Sequence, residues 1–221
     1  QATIIDADKD TASILRHNLS LLHNKPLTVE TRTAEDFVND MPDVGLALID
    51  PQRRDKNRKG LYKLEDCSPD IFDLLPHIKA KQILLKTSPM LDIQQGIEQL
   101  KYVHHVHVVE WQGQCKELLF ILKPDELCKN TLITAVKIDA NGIPENKLTF
   151  TYEDENNAPL SLSTPLKYLY EPSPAFMKAG ACKTIANTYT LSKLAPDTHL
   201  YTSNAEIEDF PGRGFEIIEQ Y

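Results

Sequence analysis

Leu46-Ala47-Leu48-Ile49-Asp50-Pro51-Gln52-Arg53-Arg54 is an apolar run that stops on an acid and a proline and passes at once into a basic loop. A buried strand ending in Asp-Pro puts a carboxylate at its C-terminal end, and in open α/β sheets ligands bind there. Proline at that point denies the strand further ladder bonds and fixes the direction in which the chain leaves. The loop holds Arg53, Arg54, Lys56, Arg58, Lys59 and Lys63 against the single acid Asp55. A candidate catalytic acid therefore stands beside a candidate anion-binding loop. Read as a plain charge run, the same loop is a solvated surface.

Outward from this stretch, short apolar runs alternate with longer amphipathic ones. Residues 3–5 read as a buried strand ending at Asp6. A helix follows, with Ala12, Leu15, Leu19 and Leu22 at near-helical spacing on one face. Residues 27–31 form a second strand, and Thr33 caps a helix with Asp36 at its third position. The third strand is 45–49, a short helix spans 70–78, and a fourth strand spans 82–86. Residues 90–100 read as helix, and 103–111 with 117–123 as a closing antiparallel pair. Strands alternating with helices predict a mostly parallel sheet covered on both faces.

After Lys123-Pro124 the pattern changes. Residues 132–139 and 147–153 flank Asn141-Gly142 and read as a β-hairpin. The acidic, Asn-rich residues 153–157 read as a loop, and 166–170 as a strand. Ser173-Pro174 supplies an N-cap and a first-turn proline for a helix running to about 187. Residues 199–203 and 214–219 are the final strands. This half is α+β, with its boundary near 124.

Bulk properties narrow the function. A chain of 221 residues can bury a sizeable core. None of its apolar runs approaches the roughly 20 residues of a membrane helix. The chain opens on Gln1 in what reads as mid-strand, so residues are expected upstream. Cys67, Cys115, Cys128 and Cys182 are widely spaced without a C-x-x-C pair, which fits free thiols in a reducing cytoplasm. The net charge of −8 argues against broad nonspecific nucleic-acid binding. Residues 1–123 carry 16 basic and 18 acidic side chains and 124–221 carry 8 and 14, so the loop after Pro51 stands out against an acidic background.

The eight glycines form neither G-x-G-x-x-G nor a P-loop, which disfavours a Rossmann dehydrogenase or a P-loop NTPase. Asp6, at a strand end before a helix, can accept hydrogen bonds from two ribose hydroxyls. It can equally cap that helix, with Asp8 competing for the role. Lys86 ends the fourth strand, where it can meet a carboxylate, an anionic ligand or solvent. His104, His105 and His107 look like a metal cluster, but alternation divides them between two faces, and no ligand-spaced partner supports metal binding. Phe210-Pro211-Gly212-Arg213-Gly214 is a turn, with phosphate contact a weaker reading.

The order of acid-ended strand, helix, strand, Thr-Ala-Glu, strand and Asp-Pro-x-Arg resembles the class I S-adenosylmethionine-dependent methyltransferases, entered partway. The stretch from Ile4-Ile5-Asp6-Ala7-Asp8 to His17-Asn18-Leu19 is similar to that family's second strand and helix. Asp50-Pro51-Gln52-Arg53-Arg54, Gly60-Leu61 and Leu64-Glu65-Asp66-Cys67-Ser68-Pro69 resemble a bacterial branch with a C-terminal THUMP-like domain. Tyr170-Glu171-Pro172, Lys178-Ala179-Gly180-Ala181, Lys193-Leu194, His199-Leu200-Tyr201-Thr202-Ser203 and Phe210-Pro211-Gly212-Arg213 are similar to that domain.

The resemblance implies an α/β fold in three parts. Residues 1–123 would form a partial Rossmann-like methyltransferase sheet lacking its first strand, and 124–164 a small ferredoxin-like or hairpin segment. Residues 165–221 would form a THUMP-like α+β domain. Asp6 would take the cofactor's ribose hydroxyls, and Ala34 and Glu35 would lie at the adenine. Asp50 and Pro51 would face the methyl group and the substrate. Arg53, Arg54, Lys56, Arg58 and Lys86 would hold an anionic substrate such as an RNA backbone. The family's first strand and Gly-rich cofactor loop would precede Gln1, so S-adenosylmethionine would bind the complete protein. Gln52 and Arg53 stand where base-amine methyltransferases carry a second proline and a stacking aromatic, which points away from base N-methylation. The expected protein is a bacterial, cytoplasmic RNA methyltransferase without metal or membrane partner. The competing expectation is a non-catalytic RNA- or protein-binding module on a degenerate methyltransferase fold.

Overall fold

A computed structural model describes residues 2–22, 27–52 and 63–219. It divides into two compact units, Gln1–Ala47 with Pro51–Lys81, and Leu48–Asp50 with Gln82–Tyr221.

In the first unit β1 (Ala2–Asp6) pairs in parallel with β2 (Leu27–Thr31), Asp6 opposite Thr31. Parallel strands need a crossover, and α1 (Lys9–Leu22) supplies it. Asp8 caps this helix by accepting the N–H of Thr11 at 2.7 Å. Ala12 is fully buried, whereas Leu22, read from the sequence as sharing its face, is 77% exposed. Arg16 fastens the helix to β2 by donating to the carbonyl of Val29 and to Thr31 Oγ1. Thr33 accepts the N–H of Asp36 and starts α2 (Ala34–Val38) as expected. Asp70 caps α3 (Ile71–Leu74); Pro76 then stands in a 3-10 turn, so the helix expected over 70–78 is shorter. Leu64, Ile71 and Leu74 are buried here.

The second unit is built on a sheet in the order β3-β4-β6-β5-β7-β8, of which β3 (Val44–Ile49) brings its last residues to this unit. The other strands are β4 (Ala80–Thr87), β5 (Val103–Trp111), β6 (Gln114–Leu122), β7 (Leu132–Ile138) and β8 (Pro144–Thr151). The expectation of a mostly parallel sheet is corrected. β4–β6, β6–β5 and β7–β8 are antiparallel, and β5–β7 is parallel. For β5–β6 and β7–β8 short connections force this, because the two residues 112–113 and the five residues 139–143 are too few for the crossover that parallel strands need. Gln112 and Gly113 both take positive φ, 51° and 70°, which suits the right-handed strand twist. Val106, Val108, Leu118 and Phe120 are fully buried on one face, beneath α4 (Ile93–Leu100) and α6 (Pro174–Ala179). Gly96 of α4 admits the Phe120 ring, since a Cβ there would stand 2.9 Å from Cζ.

The hairpin read as part of a separate 124–164 segment continues this sheet, because β7 takes the open edge of β5, His105 opposite Leu132 to Trp111 opposite Ile138. Residues 153–157, read as a loop, belong to α5 (Tyr152–Asn157). A reciprocal capping box between Thr151 and Asp154 outweighs the poor helix propensity of the asparagines. The single helix expected from Ser173 breaks at Gly180, whose φ of 77° ends α6 before α7 (Cys182–Thr188) starts. A four-stranded antiparallel sheet closes the unit in the order β10-β11-β9-β12. Its strands are β9 (Tyr168–Pro172), β10 (Ser192–Lys193), β11 (Tyr201–Ser203) and β12 (Gly212–Glu216). Among the described residues no helix is long and apolar enough to cross a membrane.

Candidate functional site

The expected site residues fall in both units. In the first unit, Asp6 ends β1 half-buried. Its Oδ1 accepts the N–H of Asp8 at 2.8 Å, and Oδ2 has no protein partner among the described residues. Asp8 takes the helix cap, and the Thr11 N–H holds its carboxyl below the ordinary carboxylate value. That division of labour leaves one edge of the Asp6 carboxylate open. Ala34 and Glu35 form the first two positions of α2, behind the Thr33 cap. Pro51 is buried, and Gln52 beside it exchanges main-chain hydrogen bonds with Ser68. Arg53, Arg54, Lys56 and Arg58 lie outside the described residues.

In the second unit, Asp50 meets Lys86. The ammonium stands 2.6 Å from Asp50 Oδ2 and 4.0 Å from Glu117 Oε1. The sheet makes this contact. Lys86 on β4 is opposite Leu119 on β6, and alternation puts Glu117, two residues along, on the same face. Asp50 is half exposed, so an incoming group can reach it. Glu117 had not been singled out in the sequence. Its alternation along β6 was legible, but the register that brings it beside Lys86 was not.

The histidines behave as sheet residues. His105 and His107 stack with ring centroids 4.1 Å apart, and His105 Nε2 meets Thr134 Oγ1 at 2.7 Å. Burial, followed by the neighbouring His107 and Lys147, lowers His105 to about 4. His104 Nε2 instead meets the carbonyl of Glu126 at 2.9 Å. Among the described residues no group of three or more His, Cys, Asp or Glu is arranged to hold a metal.

Two buried glutamates organise the C-terminal region, and no local pattern in the sequence marks either. Glu110 on β5 accepts the hydroxyl of Ser173 and the N–H of Ala175 at the start of α6. Glu155 on α5 accepts the N–H groups of Lys183 and Thr184 and the Thr184 hydroxyl at the start of α7.

Residues 168–211 match a ferredoxin-like domain family, in the region that the sequence likened to a THUMP-like domain. The chain is also similar to a Porphyromonas gingivalis W83 protein of solved crystal structure, proposed to be a methyltransferase, at 32% identity and a TM-score of 0.82. The match covers 98% of this chain and 55% of that one, so the chain spans about half the length of its relative. No curated protein matches the chain.

Proposed function

We propose that this chain is part of a methyltransferase that uses S-adenosylmethionine and acts on RNA. The observation that carries the reading is the likeness to the Porphyromonas gingivalis protein over 98% of the chain. The basic residues after Pro51 motivate the choice of RNA, since guanidinium and ammonium groups there suit a phosphate backbone.

The residues present fit one end of the cofactor. The open Oδ2 of Asp6 can accept a ribose hydroxyl, and Oδ1, already bonded to Asp8, has a second lone pair. Ala34 and Glu35 would line the adenine. When bound, the cofactor supplies an electrophilic methyl group on a sulfonium. In this reading Asp50 orients the attacking group. Lys86 occupies Oδ2, which leaves Oδ1 to accept a hydrogen bond from the nucleophile. Lys86 then positions the acid, and Arg53, Arg54, Lys56 and Arg58 carry the contacts to the anionic substrate.

Calorimetry on the full-length protein with S-adenosylmethionine tests the reading. Saturable heat with one site per protein is expected. An absence of heat would overturn the enzyme reading and leave the non-catalytic module.

A further inference from the structure

We propose that Cys182 is a modification site, a thiol that a peroxide oxidises to a sulfenic acid with His199 as the proton acceptor. The site is independent of the methyltransferase reading. It lies in a cavity of about 400 Å³, open to solvent, within the second unit. Cys182 Sγ stands 3.5 Å from His199 Nδ1. With the ring proton on Nε2, the thiol donates and the imidazole accepts.

The surroundings fix the main chain that carries the sulfur. Glu155 gathers the N–H groups of Lys183 and Thr184, and Tyr201 donates its hydroxyl to the Cys182 carbonyl at 2.9 Å. Both anchors are to the main chain, so the thiol itself bears no structural bond to them. Lys193, only 3% exposed, lines the cavity and donates to the carbonyl of Pro196. The lining holds two carboxylates, Glu155 and Asp197, and two ammonium groups, Lys183 and Lys193, so it is balanced in charge. A small uncharged oxidant enters such a space without leaving a charge unmatched.

The base is required because the environment does not ionise the sulfur on its own. Burial and Glu155 push the Cys182 thiol up, and Lys193 opposes them. Reaction therefore needs the proton taken as the sulfur attacks. Sγ bonds to one peroxide oxygen while the O–O bond breaks. The thiol proton passes to His199 Nδ1 and then to the departing hydroxide, which leaves as water. Sulfur loses two electrons and the peroxide gains them, giving Cys–SOH and water.

Cys115 supplies an internal comparison. Burial pushes its thiol up to about 11, and it makes no hydrogen bond among the described residues. The experiment treats the protein with hydrogen peroxide and dimedone and quantifies adducts on each cysteine peptide by mass spectrometry. Cys182 is expected to label roughly tenfold faster than Cys115, and His199→Gln to slow Cys182 by a similar factor while Cys115 is unchanged. His199 is exposed, so this variant keeps its packing, and circular dichroism verifies the fold. Cys182→Ser should remove the adduct from that peptide while keeping the Tyr201 bond. Labelling of Cys182 no faster than Cys115, or unchanged in His199→Gln, would overturn the proposal.

Discussion

Ser173 Oγ lies 2.5 Å from the Glu110 carboxylate, a contact between residues 63 apart in sequence. Glu110 is 1% exposed, on a central strand of the larger sheet, and it also accepts the N–H of Ala175 at 3.0 Å. A buried carboxylate is tolerable only when it is hydrogen-bonded, and here the start of α6 supplies two donors to Oε2. The ferredoxin-like region is therefore fastened to the sheet rather than strung after it. Ser173→Ala should lower unfolding free energy by roughly 1–3 kcal/mol, because a buried acceptor loses its hydroxyl partner. Urea denaturation measures the loss, and a change within a few tenths would show that water replaces the hydroxyl.

The Lys86–Asp50 pair calls for a different outcome. Its members are 29% and 50% exposed, which limits its worth to under about 1 kcal/mol. Lys86→Met should thus leave the denaturation midpoint nearly unchanged. In the proposed enzyme it should still depress methyl transfer to RNA, and Lys86→Arg should restore part of the rate. A large stability loss would instead make the pair structural.

Asp6→Ala is expected to weaken S-adenosylmethionine binding by roughly 10- to 100-fold in the full-length protein, the cost of about 1–3 kcal/mol in lost hydrogen bonds. Because Asp8 caps α1, the helix should survive the change. Calorimetry reads the affinity and circular dichroism the helix; unchanged affinity removes Asp6 from the site.

Stability should fall as the solution is acidified toward about pH 4, partly through His105. The folded protein keeps this side chain neutral down to about 4, whereas the unfolded chain protonates near the ordinary value of 6.5. Between those values the unfolded state binds the extra proton, so acidification favours unfolding. His105→Gln should flatten the decline, as read from urea midpoints across that window. An unchanged slope would assign it to other groups.

The elements that match their expected bounds are those whose signals are local. Residues 27–31 and 103–111 are strands at the expected positions, and Thr33 is the expected cap. Alternation, capping and a turn such as Asn141-Gly142 act over a few residues, so their chemistry is written in the chain. Where two local signals compete the chain departs from its expected elements, as at Gly180, where a left-handed cap interrupts an otherwise helical run.

Sequence by itself determined most of the strands, the caps that open the early helices, the acid at the end of each leading strand, and the resemblance to methyltransferases. Only the tertiary structure decided the sheet order, with β7 beside β5, and the partners of the buried and half-buried charges. Lys86 meets Asp50 and Glu117, and Ser173 meets Glu110, because distant strands settle in the register that buries their apolar faces. That register minimises a global free energy, so no window of neighbouring residues contains it.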